Sequence, residues 1–246
     1  MSTTYPAPTT LQKTLALLVH SFTASGIVCG FMSVLAISAH NWRTATLWLL
    51  AAFAIDGIDG TFARAARVKE VLPWFDGKMM DCVIDFTNYA VVPAYFIYTS
   101  GILPDAYALS GAIIILLVSA LYYGKSGMVT PDLYFEGFPV MWNAVAFYLF
   151  FVFHFSPIVN WILVLVLAIL HFVPIKYLYP SRTQAHFVPN VAISVALLVA
   201  LTYIVAAYPH TQSTLYQAAR YTCIVCLAYF AYMSIHSTYL APSPKS

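Results

Sequence analysis

Charge is what this sequence has least of. Only 8% of its 246 residues are Asp, Glu, Lys or Arg, against 61% hydrophobic ones, where a soluble domain carries roughly 25% charged residues. That excludes a water-soluble globular chain and points to an integral membrane protein. The net charge of +2, without any run of basic residues, offers nucleic acid no surface to bind. Polar stretches long enough to fold by themselves are also missing, so 1–246 reads as one membrane domain with a flexible lead-in over 1–12. Cysteine is sparse, with four residues. Cys223 and Cys226 have C-x-x-C spacing, but no second pair or nearby histidine accompanies them. Packing in apolar surroundings is therefore the first reading, and redox or metal chemistry the second. There is no internal repeat and no low-complexity tract. The first basic residue is Lys13, and the apolar run after it is too long for a cleavable signal, so the N-terminus is expected to be retained.

What the sequence has in quantity is apolar helix. Stretches of about twenty residues, the length a bilayer core requires, fall near 18–39, 43–65, 78–100, 106–124, 138–155, 157–178, 187–208 and 216–239. The expected fold is all-α, a polytopic bundle of about eight transmembrane helices. Lys13, Arg64, Arg67, Lys69, Lys78, Lys125, Lys176, Arg182 and Lys245 then share one side. That positive-inside bias predicts cytoplasmic N- and C-termini. Arg43 falls outside, and Arg220, near the outer end of the last span, is expected to snorkel to the interface.

Against this background the acids are concentrated. Six of the nine, Asp56, Asp59, Glu70, Asp76, Asp81 and Asp85, lie between residues 55 and 86. A carboxylate within a spanning helix is costly and marks a functional site. Asp56 and Asp59 are three apart and Asp81 and Asp85 four apart, so each pair lies on one helix face. Two such faces meeting would gather four carboxylates, which repel unless divalent cations neutralise them. Hard oxygen ligands suit Mg²⁺ or Mn²⁺, and paired metals clamp in-line displacement at phosphorus. Gly57, Gly60 and Gly77 suggest close backbone approach, and Arg64 is placed to fork onto a phosphate. Asp76, beside Gly77, is expected to cap the next helix.

Asp56-x-x-Asp59-Gly60-x-x-Ala63-Arg64 followed by Gly77-x-x-x-Asp81-x-x-x-Asp85 resembles the signature of the CDP-alcohol phosphotransferases. The interval between Arg64 and Gly77 is longer than in most of that family. This, with Gly57 and the segment PDLYFEGFPVMWN, is similar to the bacterial phosphatidylcholine synthase branch, which joins choline to CDP-diacylglycerol. The resemblance implies that Asp56, Asp59 and Asp81 hold two divalent ions, with Asp85 as general base and a further metal contact. It also implies that Gly60, Ala63 and Gly77 admit the cytidine and that Arg64 meets the diphosphate. Thr23 and Ser25 either pack helices or line the cytidine pocket.

The remaining candidates are less sharply defined. Tyr122, Tyr123, Tyr134, Phe135, Phe138 and Trp142, together with Asp132 and Glu136, form either an interfacial aromatic belt or a box for choline's quaternary ammonium, with Tyr122, Trp142 and Glu136 as choline candidates and Asn143 as a hydrogen-bonding helper. His20 is read first as structural or interfacial. Lys176 and Arg182 either fix orientation or hold a lipid phosphate. Expected partners are CDP-diacylglycerol, choline and membrane lipids, with a homodimer as an assembly to test. The expected setting is the bacterial inner membrane, multi-pass, with the active site near the cytoplasmic face. Two other readings stay open. One is a different CDP-diacylglycerol-dependent transferase, such as one making phosphatidylserine. The other is a divalent-cation transporter, which would be expected to spread its acids over several spans.

Overall fold

A computed structural model describes residues 8–240; Lys245 and the first seven residues of the lead-in lie outside them. The chain is helical almost throughout. Thr9 starts α1 (Thr10–Ser38) with a reciprocal capping box to Gln12, so residues 10–12 of the expected lead-in belong to the helix. After a tight turn with His40 in the left-handed region, Asn41 caps α2 (Trp42–Ala65) by accepting from the Thr44 amide at 3.1 Å. A single turn, α3 (Val68–Val71), and a stretch containing Pro73 lead to α4 (Gly77–Phe86). There Asp76 accepts from the Met79 amide at 3.0 Å, the capping role expected of it.

The run begun by α4 passes through a π turn at Thr87–Val91 into α5 (Val92–Thr99). Pro93, near the start of α5, has no N–H to give to the regular helical ladder. That is where the wider turn intervenes, as such turns often do at functional sites. Next come α6 (Asp105–Tyr123) and then α7 (Trp142–Phe147), extended by a π turn at Tyr148–Val152. They are followed by α8 (Pro157–Leu170), α9 (Phe187–Ala207) and α10 (Thr214–Ile235), the last also ending in a π turn.

Among the described residues, five helical runs are long and apolar enough to cross a membrane: α1, α2, α6, α9 and α10 with its terminal turn. The helices expected over 138–155 and 157–178 are shorter than anticipated. Residues 142–152 and 157–170 rise only about 16 Å and 21 Å at 1.5 Å per residue, against ~30 Å of hydrocarbon. The polar ends of those expected spans form something else. Strand β1 (Tyr134–Glu136) pairs antiparallel with β2 (Lys176–Leu178), with Phe135 opposite Tyr177. The bundle is therefore not purely α. Gly137, at φ +86°, closes the ribbon against α8; a β-carbon there would collide with the His171 carbonyl oxygen.

α1 and α2 form the most extensive helix pair, and α1 also carries α4 and the π turn after it. Gly26 and Gly30 make this possible. A β-carbon on Gly26 would lie 3.1 Å from the Ile84 side chain, and one on Gly30 would overlap the Asn88 amide. Small residues four apart allow backbones in a membrane to approach this closely.

Arg220 does not act by snorkelling alone. Its Nε donates to the Val152 carbonyl at 2.8 Å, and the Tyr216 hydroxyl donates to the Phe151 carbonyl at 3.2 Å. The run ending at Val152 leaves carbonyls without intrahelical donors, and hydrocarbon supplies none. Arg220→Leu is expected to lower stability by about 2 kcal/mol, the scale of one hydrogen bond to a charged group. Thermal unfolding in detergent measures this, with Arg220→Lys restoring part of the loss.

Candidate active site

Asp56 and Asp59 lie in α2 and Asp81 and Asp85 in α4, two helices that both pack on α1. Asp56 is about 13 Å from the end of α2 and Asp85 about 12 Å from the start of α4, counting 1.5 Å per residue. The two carboxylates line one cleft. Carboxylate oxygens of Asp56, Asp81 and Asp85 all lie within 4.8 Å of one another. Asp59 lines the same cleft but stands outside that trio. It is buried, with the Thr23 hydroxyl and the Gly60 amide near enough to favour its charged form.

None of the four acids forms an ion pair among the described residues. Two full charges 4.8 Å apart repel by roughly 3 kcal/mol at an effective dielectric constant of about 20. Three such pairs in an apolar bundle need protons or a cation. Oxygen-only ligands from three converging carboxylates fit a hard divalent ion such as Mg²⁺ or Mn²⁺.

The supporting groups were largely absent from the sequence reading. The Tyr89 hydroxyl donates to Asp56 Oδ2 at 2.7 Å from within the π turn. Asn88 is buried and donates to the Gly26 carbonyl at 3.0 Å, fixing the turn to α1. Both also line the cleft, with Thr23 and Gly26. Tyr89 lies four residues past Asp85, and Asn88 is a polar residue in an apolar run. Each carried a signal that helix periodicity could have used.

Other expected site residues have different neighbours. Ser25 turns back to the Phe22 carbonyl of its own helix, at 2.6 Å, and does not line the cleft. Gly77 faces the His20 ring, whose Cε1 would be 2.9 Å from a β-carbon there. His20 stacks on Phe75 at 4.2 Å between centroids. Ala63 packs with the small cluster of Ala16, Val68, Val71 and Leu72 that seats α3. Gly60 is half-buried near the Arg64 guanidinium. Arg64 itself is exposed at the end of α2 and donates to Thr61 at 3.0 Å.

The aromatic group expected around choline lies apart from the acids. Trp142 is fully buried, donates to the Ser119 hydroxyl at 3.0 Å and stacks on His171. Tyr122 meets the other side of that imidazole. Glu136 is paired with Lys125 at 2.8 Å, and the Asn143 side chain accepts from the neighbouring Ala144 amide. The sequence placed Tyr122 at a membrane surface, but helix phase turns it inward and presents its neighbour Tyr123 instead. Tyr123 packs edge-on against Phe86, at 5.8 Å between centroids, within electrostatic reach of Asp85, Asp56 and Asp81.

A second ring arrives through the ribbon. Tyr179 stacks on Phe135 at 4.5 Å, and the Arg182 guanidinium lies 5.0 Å above the Tyr179 ring. Arg182 lies within electrostatic reach of Asp81 without pairing with it. Burial raises the Tyr179 pKa above its ordinary value, offset in part by Arg182, so the phenol is neutral at physiological pH. The turn is tied by buried Thr183, which donates to the Leu133 carbonyl at 2.6 Å. Lys176 is bound to Asp132 at 2.7 Å.

The fold and site define an integral membrane helical protein with a carboxylate cleft able to hold a divalent cation. No protein-family model matches the sequence. Individual relatives do. The chain is 35% identical over 226 residues to the phosphatidylcholine synthase of Borreliella burgdorferi, covering 92% of this chain and 94% of that one. It is 37% identical over 223 residues to that of Pseudomonas aeruginosa, covering 89% and 93%, and 40% over 179 residues to that of Legionella pneumophila, covering 72% and 69%. The chain belongs to the phosphatidylcholine synthase family.

The geometry makes a prediction about cation binding that needs no substrate. Asp81→Asn is expected to weaken Mn²⁺ binding at least tenfold. Tyr89→Phe, which removes the hydrogen bond to Asp56, is expected to weaken it about fivefold. Electron paramagnetic resonance of free Mn²⁺ in titrations of purified protein reads both.

Proposed function

We propose that this chain is a phosphatidylcholine synthase that transfers the phosphatidyl group of CDP-diacylglycerol to choline and releases CMP. The observation that carries the mechanism is the convergence of Asp56, Asp81 and Asp85 within 4.8 Å, in a chain that matches its synthase relatives over 92% and 89% of its length. Asp56, Asp59 and Asp81 would hold two Mn²⁺ or Mg²⁺ ions, with Asp85 at their edge. When bound, such ions supply charge neutralisation at the phosphoryl oxygens and on the departing CMP.

Each protein group has a task in this reading. Choline's hydroxyl is a poor nucleophile at neutral pH, and Asp85 takes its proton as the new O–P bond forms and the bond to CMP breaks. Tyr89 holds Asp56, and Thr23 holds Asp59, so that the acids keep their aim without substrate. Arg64, about a turn and a half past Asp59, and Arg182, within electrostatic reach of Asp81, would meet the diphosphate or lipid phosphate. Gly60 and Gly77 leave room for the nucleotide. Tyr123, beside Phe86 and the acids, gives the acceptor's quaternary ammonium a neutral π face.

The basic residues Arg64, Arg67, Lys69, Lys78, Lys125, Lys176 and Arg182 cluster toward the ends of the helices nearest the cleft. By the positive-inside rule this supports a cleft open to the cytoplasmic side of a bacterial inner membrane, where CMP can leave. Adjoining acids on two helices, rather than acids spread through the bundle, favour chemistry over an ion path.

In detergent-purified protein with CDP-diacylglycerol and Mn²⁺, choline is expected to release CMP, while serine and glycerol phosphate are not. CMP release with serine in place of choline would move the assignment to another transferase. Asp85→Asn is expected to reduce turnover by about 10²–10⁴-fold with its thermal transition unchanged. Tyr123→Leu is expected to raise the KM for choline about tenfold, in line with ~1–2 kcal/mol for a cation over a ring, and to leave the KM for CDP-diacylglycerol within twofold.

A further inference from the structure

The end of the bundle away from the acids holds a separate cavity of about 260 Å³, lined by Ser100, Gly101, Phe150, Phe153, His154 and Asn160 among others. Ser100 closes the helical run that begins at Gly77, about 22 Å from Asp85 at 1.5 Å per residue, so this space is no extension of the catalytic cleft. Two of its polar groups are unsatisfied. Asn160 is only 3% exposed; its Nδ2 donates to the Ile102 carbonyl at 3.0 Å, while its Oδ1 has no partner among the described residues. The Ser100 hydroxyl is likewise buried and unpartnered. Leaving such groups without hydrogen bonds costs about 1–3 kcal/mol each, a cost that a bound donor removes.

The electrostatics select the kind of donor. α5 ends at Thr99, so one helix C-terminus bearing partial negative charge borders the cavity, while the neighbouring end at Val152 is already capped by Arg220. No Lys or Arg lines it, and exposed Phe155, stacked by one side on Phe153, offers a π face. Those features favour a cation and disfavour an anion. A quaternary ammonium has no N–H for Asn160 Oδ1 or the Ser100 hydroxyl; a primary ammonium does.

We infer that this cavity is a binding site for a primary ammonium group, either the headgroup of an aminophospholipid such as phosphatidylethanolamine or a free primary amine. The site stands apart from the acid cleft and does not depend on the reaction proposed for it. One end of the molecule thus binds a headgroup that can donate, while the opposite end handles one that cannot.

Native mass spectrometry of the full chain released from nanodiscs tests this. The discs hold equimolar phosphatidylethanolamine and phosphatidylcholine with identical acyl chains, and a parallel titration compares ethanolamine with choline. Retention of phosphatidylethanolamine at least fivefold above phosphatidylcholine is expected. Ser100→Ala, which leaves the Asn160 bond to Ile102 intact, is expected to cut that preference about fivefold. Asn160→Leu should abolish it, and Ser100→Ala carries the test if Asn160→Leu does not fold. Selective binding of ethanolamine without selective lipid retention assigns the same site to a free amine. Equal retention of both lipids together with equal binding of both amines, or a preference unchanged in Ser100→Ala, overturns the inference.

Discussion

Carboxylates held together against their own repulsion are the constraint around which this bundle is built. Asp56, Asp81 and Asp85 converge because α1 is narrow where the other helices need to approach. Gly30 admits the Asn88 amide, and Gly26 receives both that amide's hydrogen bond and the Ile84 side chain. The energy that opposes the gathering of acids is met by helix packing, by Tyr89 on Asp56 and by Thr23 on Asp59. Loosening the seam would let the acids separate, so glycines that touch no substrate help to set the geometry of the chemistry.

The π turn after α4 belongs to the same arrangement. A regular α-helix through 87–91 would carry Asn88 and Tyr89 around the axis by a different angle. The wider turn leaves one of them against α1 and the other against α2. Pro93 is the local cause, since it removes a donor from the ladder. The site thus depends on a backbone irregularity as well as on the side chains that define its signature.

Much of this was legible in the sequence, and the limits have physical reasons. The acidic pairs, the capping role of Asp76 and the largely helical, apolar character of the chain follow from spacing and composition, which are local properties. The ribbon was hidden because its strands are three residues each and lie far apart in the chain; nothing local specifies their pairing. Tyr122 and Tyr123 are adjacent, and only helix phase decides which faces His171 and which faces the acids. Arg220 was read by its distance from a membrane surface, whereas its partner, the Val152 carbonyl, belongs to a helix whose early end the hydropathy did not reveal.

That early end reaches beyond the protein. α8 shows Ile158, Ile162, Val166 and Ile169 on its outer side, yet its apolar length is some 9 Å short of the hydrocarbon thickness. A ~30 Å hydrocarbon core meets a helix this short only with local thinning of the bilayer or with other parts of the chain covering the remainder. Where the bilayer does the adjusting, a two-tailed lipid on this flank meets a shallower wall than elsewhere around the barrel of helices, and compressed membrane becomes part of the protein's own perimeter.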